Sequence, residues 1–520
     1  MGVFINVGKY RFQCALNSDF VDKSGVLEFL NKSIDTEKSF MCVSRPRRFG
    51  KSIIASMIQC YYDRSIDSKS MFEGLEIASK PSYLTYLNKY PVISIDLNFF
   101  CSVKEPDLIA YIQEQVVKDL KVAYPFLKEK RYIHGALTEI NQKTGDRFIF
   151  MIDEWDRLVR DVDTKLQNDY LNFLRSLFKS ANAKDIFALV YMTGILPIIK
   201  FETQSALNNF KEYSVVDPVF TAPYYGFTKE EVKVLCDKFD MDFERTKQAY
   251  DSYIFGSARS MFNPNSVMEN ADRKTYASFW SRTASFSLVN RFITIDADNV
   301  RKYILRMLNG DKVAVDVTNF RNDMKNIETC DDVLTLLIHL GYLSYDPENG
   351  TARIPNTEVL TEFSNIVRSA NWGNISEAVA KSSKLVQDTI DMDSDAIAKA
   401  FDEYRFEATS ILTSNNEDSM ASAIRYAYFS AVSHYKVVRE MPAGKGFADM
   451  VFLPLRKSSR PAILVEFKYD KSADSAISQI HNKNYAGVLK GLAERVILVG
   501  INYNTKLSKH EVVMEEMERV

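Results

Sequence analysis

An α/β protein carrying two separate sheets is predicted by three observations. Four apolar runs of strand length recur through the first part of the chain: Phe40 to Val43, Val92 to Leu97, Phe148 to Ile152 and Ile186 to Tyr191, each followed by polar or turn residues. Beyond Gly226 and Phe227 the pattern turns helical. After Ser414-Asn415-Asn416 it changes again, to the order helix, strand, strand, helix, strand. Continuous apolar runs, unlike alternating ones, suit strands of a parallel sheet covered on both faces, and the intervals between the first four leave room for crossover helices.

Residues 1–235 therefore read as the first α/β domain. Thr228 can cap a helix whose first turn holds Glu230 and Glu231, a capping-box pattern, and opens a largely helical region over 236–375. Within it, Asp331 to Gly341 reads as a helix, and Tyr342 to Tyr345, Asn349-Gly350 and Ala352 to Ile354 as a small hairpin with a tight turn, a winged-helix-like arrangement. Residues 376–412 read as amphipathic connecting helices and 413–520 as the second α/β domain. No internal repeat is visible.

Composition limits the function classes. Of 520 residues, 46% are apolar and 26% charged, an ordinary globular balance, and 19 glycines with 14 prolines exclude a collagenous or low-complexity chain. Lys and Arg number 66 against 68 Asp and Glu, a net charge of -2, so a polyanion would have to be met by a local patch. Six dispersed cysteines without Cys-x-x-Cys spacing offer neither a zinc ribbon nor a disulfide framework, and fit a reducing cytoplasm. The amino terminus lacks a basic-then-apolar leader. The stretch Phe187 to Ile199 is too short and too interrupted to span a bilayer, so a cytoplasmic protein without a membrane segment is expected.

The first chemical motif runs from Arg45 to Ser52, directly after the strand ending at Val43 and before the helical run Ile53 to Tyr62. A nucleotide triphosphate needs inward-pointing backbone N–H groups at a helix N-terminus, a lysine for the β and γ phosphates and a hydroxyl for Mg²⁺, which Gly50, Lys51 and Ser52 can supply. Arg45 stands where the first glycine of the common phosphate-loop pattern would lie. A chance Gly-Lys-Ser on a basic turn would look the same at this level. The second motif argues against chance: Phe148 to Ile152 ends in Asp153-Glu154, where the first carboxylate can hold Mg²⁺ and the second can orient an attacking water, a Walker B pattern. A further strand ends in Thr193-Gly194, placing a hydroxyl where ligands of open α/β sheets collect. In this setting Arg45, Arg47, Arg48 and Lys51 read as charges that neutralise a triphosphate.

Several segments together resemble the bacterial and archaeal AAA-ATPase-like proteins: Phe20 to Ser24, the Arg45–Ser52 loop, Ile152-Asp153-Glu154, Thr193-Gly194, Leu207 to Asn209, Tyr225 to Thr228 and Phe262 to Pro264. The resemblance covers residues 5 to 290 or so. It implies that Arg45 belongs to a variant phosphate loop, that Lys51, Ser52, Asp153 and Glu154 match the nucleotide motifs, and that Thr193 holds the sensor position. ATP and Mg²⁺ are the cofactors it implies.

Near the carboxyl end, Ala448 to Leu453 and Ala462 to Lys468 read as a strand pair joined by a loop bounded by Pro454 and Pro461, most simply antiparallel. Period-two alternation puts Ala462, Leu464, Glu466 and Lys468 on one face, and the right register would bring Asp449 beside Glu466. Two carboxylates can hold Mg²⁺ while leaving positions for a phosphodiester oxygen and a water, and Lys468 can orient that water or offset phosphate charge. Asp449 with Glu466-x-Lys468 on adjacent strands is the pattern of the PD-(D/E)XK nuclease superfamily, a restriction-endonuclease-like α/β domain. The resemblance extends to Glu417 as an upstream acidic position and to Gln479 and Tyr485 downstream, while Phe447 stands where that family usually has arginine. An exposed Glu-x-Lys ion pair is the plainer alternative for Glu466 and Lys468 taken alone.

Five histidines without His-x-x-x-His spacing give no zinc hydrolase, and Arg456, Lys457 and Arg460 read as a solvated turn within reach of a phosphate backbone. The expected protein is an ATP-binding, ATP-hydrolysing domain coupled to a Mg²⁺-dependent nuclease-like domain. Its partner is nucleic acid, with DNA favoured over RNA, and a homo-oligomer is allowed. The competing reading is a nucleotide-controlled binding protein whose nuclease fold does not cut.

Overall fold

In the computed structural model the four apolar runs become β1 (Phe40–Ser44), β2 (Val92–Asp96), β3 (Phe148–Asp153) and β4 (Phe187–Gly194). The structure describes residues 2–518 apart from 102, 129–131, 161, 199, 202–203, 206, 281–296, 309, 321–323, 325–326, 370–373, 409–426, 429, 432–433, 444–445, 455–459 and 484–494. It divides into two compact units, residues 1–279 with 314–356, and residues 280–313 with 357–520. The first unit thus takes residues from both sides of position 235.

In the first unit the sheet order is β2, β3, β4, β1 and an edge strand Lys211–Tyr213, every neighbouring pair parallel. Alternate residues feed opposite cores: Phe40, Cys42, Phe148, Phe150 and Ile152 one side, Met41, Val43, Ile149 and Met151 the other. Burial on both faces is why these strands read as unbroken apolar runs. The helix after β1 spans Lys51–Tyr62 and lays Met57, Ile58 and Tyr61 into the second of these cores. All strands of a parallel sheet run the same way, so the ends of β1, β2, β3 and β4 open on one edge. The candidate residues gather there.

Thr228 accepts the Glu231 amide and the Glu231 carboxylate accepts the Thr228 amide, so the anticipated capping box starts the helix Lys229–Phe239. The region beyond it is less helical than its polarity suggests. Strands Tyr253–Phe255 and Ala258–Phe262 fold back on each other around Gly256 at φ 56°, and Phe227–Thr228 pairs with the second. These strands are too short to show a period, and they form because Tyr253 and Phe255 pack on the buried Phe49 ring while Phe262 joins an apolar core with Val232, Leu235 and Val267. Cys330–Leu340 is a helix ending at Gly341 with φ 86°, and Ser344–Asp346 pairs antiparallel with Thr351–Arg353 around Gly350.

The second unit holds a five-stranded sheet in the order Tyr435–Ala443, Gly446–Pro454, Ala462–Tyr469, Arg495–Asn504, Lys509–Glu518. Only Ala462–Tyr469 and Arg495–Asn504 run parallel, with the helix Ala473–Asn482 in the chain between them. One face packs on Leu385, Val386, Ile397 and Phe401 of the helices Asn374–Ile390 and Ser394–Ala408, the other on Ile477 and Ile480. The two edge strands were not anticipated from sequence. Lys509–Glu518 is thick with charge and Tyr435–Ala443 carries Pro442, features that protect a sheet edge and mask its strand character. Among the described residues no helix is long and apolar enough to cross a membrane, and all six cysteines are free.

Candidate functional site

The loop after β1 is held by its own apolar residue. Phe49 is fully buried, with its ring 5.0 Å from Tyr253 and 5.3 Å from Phe255. Arg48 and Gly50 both take left-handed backbone conformations, φ 68° and 84°. Gly50 precedes the helix with no side chain capping it, which leaves the first amides free to face a ligand. Arg48 is exposed and donates to the Phe279 carbonyl. Lys51 is 4% exposed, with Nζ 3.2 Å from the Pro46 carbonyl oxygen and 3.7 Å from Glu154 Oε1.

Three polar side chains line up on the strand ends facing this loop. In the parallel register Asp96 of β2 stands opposite Asp153 of β3, and Asp153 opposite Thr193 of β4. Burial lifts the Asp153 carboxyl to about 6; the charges of Glu154 and Asp96 add to the rise, while a hydrogen bond from Ser52 and the charge of Lys51 oppose it. Ser52 is thereby joined to Asp153. Thr193 is wholly buried and its hydroxyl has no hydrogen-bond partner. Glu154 follows in a left-handed conformation, φ 54°, its amide donating to Asp153 Oδ1 and its carboxylate lying between Lys51 and Arg160.

Arg45 sits differently from the triphosphate contact expected of it. It is fully buried, Nη1 donating to the carbonyls of Ser44 and Tyr213 at 2.7 and 2.9 Å and Nη2 to Thr221 Oγ1 at 2.5 Å. Its guanidinium lies over the rings of Tyr225 and Phe255, at 5.2 and 5.3 Å. Burial lowers its pKa to about 10, against the pull of Tyr225 and Tyr191. The planar guanidinium ties the start of the loop to the sheet edge from inside.

The second group lies in the other unit. The Asp449 and Glu466 strands are antiparallel, with Met450 opposite Val465, and Asp449 Oδ2 accepts the Phe467 amide at 2.8 Å. Glu466 is 1% exposed. Its Oε1 accepts from Lys468 Nζ at 3.1 Å and from the Gln479 amide, while its Oε2 is buried without a partner. Burial raises the Glu466 carboxyl above the ordinary range, Asp449 adds to this, and Lys468 pulls the other way. Gln479 reaches Glu466 from the helix Ala473–Asn482. That helix can sit close because Glu466 faces Gly500 on the next strand, where a Cβ would come 2.5 Å from the Ala473 carbonyl and 2.9 Å from Ile477. Glu417, Tyr485, Arg456 and Lys457 lie outside the described residues, as does the side chain of Phe447.

Comparison with known families agrees with this division. Residues 7–203 match the family described as "Predicted AAA-ATPase", and residues 415–512 match the PD-(D/E)XK nuclease superfamily. The chain carries an AAA-ATPase-like domain and a PD-(D/E)XK nuclease-like domain. Among solved structures, a Walker-type ATPase of Pyrococcus abyssi is 12% identical, covering 65% of this chain and 93% of its own, with a TM-score of 0.32. The ORC2 protein of Aeropyrum pernix, in ADPNP and ADP complexes, is 12% identical, covering 69% of this chain and 98% of its own, with a TM-score of 0.30. No curated protein matches.

Both domains fit the groups their families imply, and the fit rests on orphaned oxygens. A buried polar atom left unpaired costs about 1–3 kcal/mol, and Thr193 Oγ1 and Glu466 Oε2 are two such atoms on the two candidate sites. In the ATPase-like domain Ser52 and Asp153 would hold Mg²⁺ beside a triphosphate bound by Lys51; in the nuclease-like domain Asp449 and Glu466 would hold it. Among the described residues no group of three or more His, Cys, Asp or Glu is placed to hold a metal ion.

The state of Asp153 has a measurable consequence. Its folded pKa of about 6 exceeds the 3.8 of a free carboxyl, so it favours the fold at low pH and loses that contribution as pH rises through about 6. Magnesium nucleotide should compensate the buried charge and therefore raise the melting temperature more at about pH 7.5 than at about pH 5. Equal shifts at both pH values, measured by calorimetry, would count against this account.

Sequence reading missed three residues of the ATPase-like domain. Asp96 ends an apolar run just as Asp153 does, a signal that was present. Asp156 and Arg160 are spaced one helical turn apart after Glu154, a weaker signal that needs the fold to become meaningful. Gly194 belongs with them: a Cβ there would strike Asp156 Oδ1 and approach the Trp155 ring to 2.7 Å. Gly194→Ala is expected to cost roughly 1–3 kcal/mol by overpacking. Urea denaturation reads this, and a wild-type midpoint would show that the turn has room.

Proposed function

We propose that this chain binds and hydrolyses ATP with Mg²⁺, and that its nuclease-like domain cuts nucleic acid, DNA in the first place, in a Mg²⁺-dependent reaction coupled to the nucleotide state in the cytoplasm. One observation carries the reading: Lys51, Ser52, Asp153, Glu154 and Thr193, far apart in sequence, meet on one edge of a parallel sheet. Lys51 binds phosphate oxygens, Ser52 and Asp153 take the metal, Thr193 donates its unpaired hydroxyl toward the phosphate, and Glu154 orients the attacking water. Arg48, exposed at the loop, would exchange its Phe279 carbonyl partner for the triphosphate, which it approaches from outside.

In the nuclease-like domain Asp449 and Glu466 would hold the metal ion, which would supply a water of lowered pKa and positive charge against the phosphate. Lys468, fixed on the Glu466 carboxylate and the Phe467 carbonyl at 2.9 Å, orients that water, and Gln479 holds Glu466 in place. Glu417 and Tyr485 are proposed to complete this site on the resemblance alone. The test uses one purified sample: ATP hydrolysis and cleavage of DNA and RNA are measured with and without Mg²⁺. Hydrolysis without cleavage, in Mg²⁺ or Mn²⁺ and with or without ATP, would leave a nucleotide-controlled binding protein. Coupling requires that ATP and nucleic acid change each other's affinity by the same factor.

A further inference from the structure

We infer that Arg160 is a positioning residue for ATP hydrolysis, holding one oxygen of Glu154 so that the other is presented to the attacking water. The inference rests on the ATP-hydrolysing reading and adds a residue to it. Glu154 is held by two cations of different standing. Oε1 lies 3.7 Å from Lys51 Nζ, and Oε2 lies 3.3 Å from Arg160 Nη2. Lys51 sits on the phosphate loop, where an arriving triphosphate is a stronger partner than a carboxylate 3.7 Å away. Arg160 has no such alternative.

Arg160 is anchored behind Glu154. Its side chain is 2% exposed and Nε lies 2.8 Å from Asp156 Oδ2. Asp156 is wholly buried, and its carboxylate accepts the amides of Ile195 at 3.2 Å and Leu196 at 3.0 Å. Those amides immediately follow the end of β4, the strand that carries Thr193. A guanidinium drawn from Asp156 toward the nucleotide would leave a buried carboxylate without its cation, a strongly unfavourable exchange. Arg160 therefore stays with Asp156 and acts through Glu154.

Glu154 also needs such a partner. Its left-handed backbone fixes where the side chain starts, yet a glutamate has three side-chain torsions and scatters unless held. Once Lys51 turns to phosphate, Arg160 is the cation that still holds the carboxylate. Oε2 is bound and Oε1 is released toward the phosphate loop. The same arrangement explains why Gly194 must lack a side chain, since Asp156 occupies the space a Cβ would take.

The experiment compares Arg160→Gln, Arg160→Lys and Glu154→Gln, singly and with Arg160→Gln combined with Glu154→Gln, in the full chain. Melting temperature and binding of a fluorescent ADP analogue establish that each variant is folded and loads nucleotide. Arg160→Gln should lower kcat by about 10- to 100-fold, less than the roughly 100- to 10,000-fold that a positioned acid–base group itself contributes, with KM for ATP changed less than about threefold. Arg160→Lys should recover part of kcat. In the Glu154→Gln background, Arg160→Gln should change kcat little, because the group it positions is already gone. A loss of nucleotide affinity matching the loss of kcat would mean that Arg160 contacts the nucleotide, and equal losses in both backgrounds would mean a general structural role. Either overturns the inference, as does an unchanged kcat in Arg160→Gln. If the Arg160 variants do not fold, Asp156→Asn, which loosens Arg160 without removing it, must give the same pattern of kcat and KM or the inference falls. Wild-type protein that loads nucleotide and never hydrolyses it removes the hydrolytic reading itself, an outcome distinct from hydrolysis that ignores Arg160.

Discussion

Lys51→Ala is expected to weaken ATP binding by at least about 100-fold while the fold survives. Hydrogen bonds between charged groups contribute roughly 1.5–3 kcal/mol each, and a lysine between β and γ phosphates makes more than one. The fold has little reason to suffer. Lys51 is the first residue of its helix, where alanine is an excellent helix former, and its contacts are a loop carbonyl at 3.2 Å and Glu154 at 3.7 Å. Glu154 keeps Arg160 as a partner when Lys51 is removed. Glu154→Gln provides the contrast: it should bind ATP with near wild-type affinity and turn it over at least about 100-fold more slowly, as expected when a water-orienting carboxylate is neutralised. Isothermal calorimetry separates the two. Unchanged affinity in the lysine variant removes the phosphate-loop assignment, whatever the hydrolysis rate.

The strands that bury both faces were legible in the sequence, and the edge strands of the second unit's sheet were not. β1, β3 and β4 are buried along their whole length, so apolar residues fill consecutive positions and the strands announce themselves. The strands Ala462–Tyr469 and Gly446–Pro454 were found with the correct partner and direction, because a loop bounded by Pro454 and Pro461 joins them most simply as an antiparallel hairpin. Lys509–Glu518 carries one lysine and four glutamates on a sheet edge and reads as a solvated segment until its partner is known. The sites divide in the same way. Residue types fixed by chemistry, such as Lys51 or Glu466, are recognisable one at a time. Those fixed by what they hold, such as Asp156, Arg160 and Gly194, become meaningful only when β3 and β4 are neighbours. Arg45 shows the limit from the other direction: a basic residue in a phosphate loop suggests phosphate, whereas Tyr225, Phe255 and Thr221, distant in sequence, enclose it.

Glu466→Gln is expected to remove Mg²⁺-dependent cleavage, by at least about 1000-fold, while leaving ATP turnover untouched and the melting temperature at neutral pH equal or higher. The three readouts point in different directions because the carboxylate does two opposed things. As a metal ligand its charge is indispensable: a neutral amide of the same shape holds a hard dication poorly. As a buried group its charge is a burden, since burial and then Asp449 raise its pKa, and protonation is favoured in the folded state relative to the unfolded one. An acid of that kind favours the fold below its unfolded pKa and loses the contribution as pH rises through its folded pKa, so a permanently neutral side chain is at no disadvantage at pH 7. Lys468 limits the gain, because it loses a carboxylate partner at 3.1 Å while keeping the Phe467 carbonyl at 2.9 Å. Asp449→Asn should also abolish cleavage, but with a smaller benefit to stability, since Asp449 is only half-buried and its carboxylate already accepts the Phe467 amide. Lys468→Ala should slow cleavage with less effect on metal binding. A structural ion pair would behave in the reverse manner: Glu466→Gln would then destabilise the domain and leave any cleavage unchanged, because nothing in the reaction would depend on the charge.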